Sequence, residues 1–218
     1  YLEAFEQRVI ESGGKVHWAR DAAEARATVL RLCKGVGARA VTKSKSMIAE
    51  EIELNEALEA SGIRRVETDL GEYIVQLAGE TPSHILAPAI HMTRDQIATL
   101  FAEHHDRPRV DAPEALLAEA RAVLRQRYFE ADVGITGANF LIAETGSVVL
   151  VTNEGNAELT QGLPRTHIVI ASLEKVVPTF EDACTLLRVL ARSATGQEFG
   201  AYTTVLTCLL YTSPSPRD

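Results

Sequence analysis

Short β-rich apolar runs alternate with longer stretches of helical period along most of the chain. That alternation is the pattern of an α/β fold, a mostly parallel sheet flanked by helices. Strands are predicted at Ala38–Lys43, Arg64–Glu67, His84–Pro88, Asp132–Thr136, Ser147–Thr152, His167–Ser172 and Ala201–Leu206. The helices between them carry start signals, in which an oxygen-bearing side chain precedes by three residues one that can reach back to it. These are Asp21 with Glu24, Asp69 with Glu72, Thr93 with Gln96, Asp111 with Glu114, and Thr179 with Asp182. Gly62 and Gly196 mark helix ends after Glu50–Ser61 and after the stripe Leu186, Leu187, Val189, Leu190. The proline-bearing segment Arg107–Pro113 is the clearest interruption and a place where two lobes could meet, with a long helix expected over Glu114–Glu130.

Composition narrows the classes. The 218 residues carry 22 Lys+Arg against 30 Asp+Glu, a formal charge of −8. A duplex-binding surface needs clustered cations, so nucleic acid is not an expected partner. No apolar run is long enough to span a bilayer, and the first residues have neither the basic nor the apolar stretch of a signal peptide. The cysteines Cys33, Cys184 and Cys208 lie far apart, with no CxxC pair and no Cys/His spacing suited to a metal. A reduced, cytoplasmic setting is expected, and no metal site.

Three places could hold chemistry. Lys43-Ser44-Lys45-Ser46 ends a predicted strand and opens a helix, so ammonium groups, hydroxyls and free helix N–H groups converge where open α/β sheets bind ligands. An anion is the natural occupant. The competing reading has Ser46 merely capping the helix with Lys43 and Lys45 solvated. Glu144 lies between the apolar runs Phe140–Ala143 and Val148–Val151, where partial desolvation would raise its pKa and prepare it for catalysis, with Thr136 and Asn139 as neighbours. Its alternative is a carboxylate that only bonds the N–H groups of a following turn. Arg165, in Leu163-Pro164-Arg165-Thr166-His167, has the planar fork to clamp a carboxylate, although an Arg and a His at a strand entrance are more often surface residues. Asn153, Glu154 and Asn156 read as turn residues bonding their own backbone, and His104-His105 as a solvated helix end.

Several longer strings appear in one order: Thr42-Lys-Ser-Lys-Ser-Met-Ile-Ala-Glu-Glu-Ile-Glu-Leu-Asn55, Glu67-Thr-Asp-Leu-Gly-Glu-Tyr-Ile-Val-Gln-Leu77, Pro82-Ser-His-Ile-Leu-Ala-Pro-Ala-Ile-His91, Ile135-Thr-Gly-Ala-Asn-Phe140, Ala143-Glu-Thr-Gly146, Glu154-Gly-Asn156, Leu163-Pro-Arg165 and Arg192-Ser-Ala-Thr-Gly-Gln197. Together they closely resemble the LUD domain of the iron–sulfur (B) component of the three-part bacterial lactate-utilisation system, over residues 1–206. The resemblance implies a fold similar to the sugar-isomerase and CoA-transferase group, and a part in oxidising L-lactate to pyruvate alongside a LUD protein and an iron–sulfur protein. It also implies 4Fe–4S clusters in a further region rich in cysteine. No such run of thiols is present here, so this chain by itself is expected to bind no cofactor. Two other roles stand beside that one: a stand-alone acyl-transfer or isomerase-like enzyme working through Glu144 on a small anion, and a non-catalytic domain that docks partner subunits.

The chain opens on Tyr1 inside a helical pattern and reads as a piece of a longer protein. Residues 207–218 break the rhythm, with two prolines in the last five and the string Leu-Leu-Tyr-Thr-Ser-Pro-Ser-Pro-Arg-Asp218, which resembles translated sequencing-adaptor read-through. They are expected to be a non-native or disordered tail.

Overall fold

A computed structural model describes residues 1–83, 87–198 and 200–207. In chain order the elements are α1 (Leu2–Glu11), α2 (Ala22–Gly35), β1 (Ala40–Lys43), α3 (Met47–Glu51), α4 (Leu54–Ala60), β2 (Arg64–Glu67), α5 (Leu70–Ala78), α6 (Arg94–His104), α7 (Pro113–Glu130), β3 (Val133–Thr136), β4 (Phe140–Ile142), β5 (Ser147–Thr152), α8 (Asn156–Gly162), β6 (Thr166–Val169), a 3-10 turn (Leu173–Lys175), β7 (Val176–Val177), α9 (Phe180–Thr195) and β8 (Tyr202–Leu206).

The strands form two sheets. The first, in the order β2-β1-β3-β6, is parallel throughout. Its central strands β1 and β3 are buried at every position, as strands covered on both faces must be. Val29, Cys33, Leu54 and Leu58 from α2 and α4 pack on one face against Val41, Val133 and Ile135. Val66 joins a second cluster with Tyr73, Phe101, Leu116 and Leu124 from α5, α6 and α7. The segment 107–113 therefore links two helices that share one core. Gly134 permits α8 to pack directly on β3, since a Cβ there would lie 1.8 Å from the Thr160 carbonyl oxygen.

The second sheet, β7-β4-β5-β8, corrects the expectation that Ser147–Thr152 and Ala201–Leu206 extend the parallel sheet. Both strands pair antiparallel with their neighbours inside it, and only β4 and β7 run parallel. The turn Ala143–Gly146 is too short for a crossover and so dictates a hairpin. Strand β4 lies inside the apolar run Phe140–Ala143 but, at three residues, was too short to be assigned as a strand, and β7 has only two residues. This sheet packs on α9 through Ile142, Val149, Val177 and Ala183, and on α1 through Phe5, Val9 and Ala143.

Most start signals hold. Asp21, Asp69, Thr93 and Thr179 accept hydrogen bonds from the backbone N–H groups of Glu24, Glu72, Gln96 and Asp182. Asp111 does not cap: Ala112 is the N-cap residue before Pro113, and the Asp111 carboxylate is taken by Arg109 at 2.9 Å. The helix expected over Glu50–Ser61 is broken at Glu53, which adopts φ 53°. Arg26 of α2 donates to the Ile52 carbonyl at 2.8 Å, satisfying an oxygen that an unbroken helix would have used itself. Of the predicted strand His84–Pro88, residues 84–86 lie outside the described residues, and Pro88 stands in a turn. The tail beyond Thr207 also lies outside them.

Candidate functional site

Register decides what faces what at the carboxyl end of the parallel sheet. Lys43 of β1 is paired in register with Glu67 of β2, so the two side chains emerge side by side on one face. Their charged atoms, Nζ and Oε2, stand 3.1 Å apart, with the side chains 0% and 1% exposed. Arg65, two residues earlier on the same face of β2, reaches the other Glu67 oxygen at 3.1 Å and Glu59 of α4 at 2.9 Å. Burial raises the Glu67 pKa, opposed by Lys43 and Arg65. This is a sealed ion pair, so the Lys43 ammonium is neither solvated nor offered to an anion from outside.

The turn beyond β1 is tightly held. Ser44 is buried and its N–H donates to the Ile135 carbonyl at 2.9 Å. Ser46 caps α3 by accepting from the Ala49 N–H at 3.3 Å. It also presses on Gly137, where a Cβ would meet its Oγ at 2.9 Å. Lys45 points elsewhere: its Nζ lies 3.7 Å from Glu72 Oε1 on α5, with the side chains 24% and 5% exposed. Burial lifts the Glu72 pKa to about 7, helped by Glu50 and Glu67 and opposed by Lys43 and Lys45. Glu154 arrives from the loop after β5 and accepts a hydrogen bond from the Leu70 N–H. Burial and the neighbouring Asp69 raise its pKa, while Lys45 and Arg121 lower it. Glu154 thus bonds the first turn of α5 rather than its own loop.

The remaining predicted residues are dispersed. Thr136 is fully buried at the end of β3, and its Oγ1 lies 2.8 Å from His167 Nε2. Burial drives the His167 pKa down to about 4, so the imidazole is neutral at physiological pH. In register Thr136 shares the face of Thr42 and Gly134, opposite to that of Lys43. Asn139 is a hairpin brace: its Oδ1 accepts from the Val151 N–H at 2.8 Å and its N–H donates to the Val149 carbonyl at 2.9 Å. Arg165 is exposed.

Glu144 belongs to the second sheet. The desolvated setting expected for it is not found: the residue is exposed, and its Oε2 accepts from the Phe180 N–H at 3.0 Å at the start of α9. Its own N–H donates to the Pro178 carbonyl at 3.0 Å. His105 departs from expectation in the other direction. Buried, it bridges Tyr73 at 2.9 Å and Glu119 at 2.7 Å.

Of the predicted turn, then, the structure brings Lys43, Ser44, Lys45 and Ser46 together, and joins them to Glu67, Glu72, Glu50 and Glu154. The sequence reading gave these glutamates no chemical part. The one available signal was the cap at Asp69, which places Glu72 on the first turn of α5 next to a strand end. Among the described residues no group of three or more His, Cys, Asp or Glu side chains could hold a metal ion. The thiols among them do not suit an iron–sulfur cluster either. Cys33 is sealed in the core with its pKa pushed up to about 11, and half-buried Cys184 lies on α9, whereas a cluster needs several convergent thiolates. No helix among the described residues is long and apolar enough to cross a membrane.

A mainly parallel α/β domain with a charged cluster at its strand ends defines the class, and comparison with known proteins supplies the family. The chain matches the LUD domain over residues 2–217 and belongs to that family. It is 48% identical over 208 residues to Lactate utilization protein B of Anoxybacillus flavithermus, a match covering 95% of this chain and 44% of that protein. Lactate utilization protein B of Bacillus subtilis is 47% identical over 208 residues, covering 95% and 43%. The chain thus spans less than half the length of these relatives. A solved DUF162 family protein from Deinococcus radiodurans shares 19% identity, covering 87% of this chain and 90% of its own, with a TM-score of 0.33 that is too low to add to the fold.

Proposed function

We propose that this chain is the LUD portion of a cytoplasmic protein that takes part in the oxidation of L-lactate to pyruvate. The observation that carries this reading is the 47–48% identity, over 95% of the chain, to proteins called Lactate utilization protein B. Oxidising lactate removes two electrons and two protons. In this reading the electrons pass to 4Fe–4S clusters in a region of the longer protein outside this chain, and a LUD protein and an iron–sulfur protein are its partners. The LUD portion handles the small carboxylate. Lys45 is the group suited to that task, because it is the ammonium at the strand ends that solvent can reach, while Lys43 is sealed against Glu67.

The test is a chimera in which this chain replaces the corresponding segment of the Bacillus subtilis relative, in a strain lacking its own copy. Growth on L-lactate as the sole carbon source, equal to growth with the intact relative, is the expected result. A chimera that accumulates normally and supports growth on glucose but not on lactate would overturn the assignment.

A further inference from the structure

The charges at the carboxyl ends of β1 and β2 are unequally committed. Lys43 and Arg65 both face Glu67 at 3.1 Å. Lys45 stands 3.7 Å from Glu72, an ion-pair distance beyond that of a direct hydrogen bond. The groups facing this pair come from every neighbouring element: Glu50 from α3, Glu67 from β2 and Lys43 from β1 act on Glu72. Glu154, from the loop before α8, feels Lys45 together with Asp69 and Arg121 of α7. Within the cluster Lys43 Nζ and Glu67 Oε2, almost wholly buried, are taken up by each other at 3.1 Å, which leaves the half-buried Lys45 as the ammonium that solvent can reach.

A carboxylate arriving from solvent has Lys45 as its attractive contact and Glu72 as its competitor. Two carboxylates on one ammonium, with Glu50 and Glu67 close by, repel each other in a poorly solvated place. We propose that Lys45 and Glu72 form a proton-linked monocarboxylate site, in which the ligand's carboxylate takes Glu72's place on the ammonium and Glu72 takes up one proton from solvent. The neutral Glu72 carboxyl is then a hydrogen-bond donor for an oxygen of the ligand, which favours a hydroxy acid. A second carboxylate on the ligand would meet the exposed Glu50, so monocarboxylates bind better than dicarboxylates. This rests on the reading that the chain holds a small carboxylate, and adds to it the residue that sets charge selectivity and pH dependence.

The sign follows from the raised Glu72 pKa of about 7. Below it Glu72 is already neutral and binding takes up little proton; above it each binding event must protonate Glu72 first. Isothermal titration of the chain with L-lactate, in buffers of different ionisation enthalpy, reads this directly. Proton uptake per lactate bound is expected to be about 0.1 at pH 6 and about 0.9 at pH 8, with the dissociation constant rising about tenfold per pH unit above 7. Glu72→Gln, folded by circular dichroism, is expected to bind lactate with no proton uptake and no pH dependence. Lys45→Ala and Lys45→Gln are both expected to weaken binding about tenfold or more at pH 6, and malate is expected to bind more weakly than lactate. Lactate binding with the same constant at pH 6 and pH 8, still sensitive to Lys45, overturns the proton linkage and leaves the carboxylate reading standing. Absence of lactate binding at both pH values overturns the site itself, whatever the outcome of the growth test.

Discussion

Glu67 and Glu144 both follow or flank β-structure, yet one is sealed and the other is open. Glu67 ends a strand of the parallel sheet, which helices cover on both faces, and there it can be ionised only because Lys43 and Arg65 are delivered to it by register and by the same strand face. Glu144 lies in the Ala143–Gly146 turn of the smaller sheet, which carries it out to solvent and to the start of α9. Apolar flanking residues therefore say little about a carboxylate's surroundings, whereas the layer it belongs to says a great deal. Charge held in the covered sheet is costly and must be matched. Charge at the hairpin turn is cheap and caps a helix.

That contrast can be broken or sharpened by measurement. The largest effect is expected from Lys43→Ala, which strands the Glu67 carboxylate in the interior and should destabilise the fold by about 3–5 kcal/mol in urea titration. A loss below 1 kcal/mol would mean that Glu67 is hydrated or neutral and the pair is not what seals the site. Next comes Glu72. Its folded pKa of about 7 lies above the ordinary glutamate value of 4.5, so its contribution is fully present below about pH 4.5 and is lost as pH rises through 7. Glu72→Gln should remove that falling limb, making the variant more stable than the parent at pH 8 by roughly 2–3 kcal/mol and equal to it at pH 4. His167 opposes this trend at the acid end: its lowered pKa of about 4 means that stability present above pH 6.5 is lost as pH falls through 4. The smallest effect belongs to the open carboxylate. Glu144→Ala should cost about 0.5–1 kcal/mol in thermal unfolding, the range of a lost helix cap.

The helical part of the fold was legible because its signals are local. Four of five cap pairs and the left-handed glycine ending α9 at Gly196 are set by residues within one turn of each other. The division into two sheets was not, since β4 and β7 are too short to show a period and β8 finds β5 only through the third dimension. The candidate site divides along the same line. The strand-to-helix turn from Lys43 to Ser46 could be read, but the partner of each lysine could not. Lys43 meets Glu67 through the pairing of two strands that α3 and α4 separate in sequence, and Lys45 meets Glu72 only once β2 has been followed by the start of α5. His105 shows the same limit, for its neighbours Tyr73 and Glu119 come from α5 and α7.

In the proposed site the working end of this domain is the Lys45–Glu72 pair at the parallel strand ends and not Glu144. Growth on L-lactate of the Bacillus subtilis chimera carrying either Lys45→Ala or Glu144→Gln, with both proteins accumulating normally, tests it most directly. Growth is expected to be lost with the lysine variant and kept with the glutamate variant; growth kept with Lys45→Ala and lost with Glu144→Gln would overturn the proposed site.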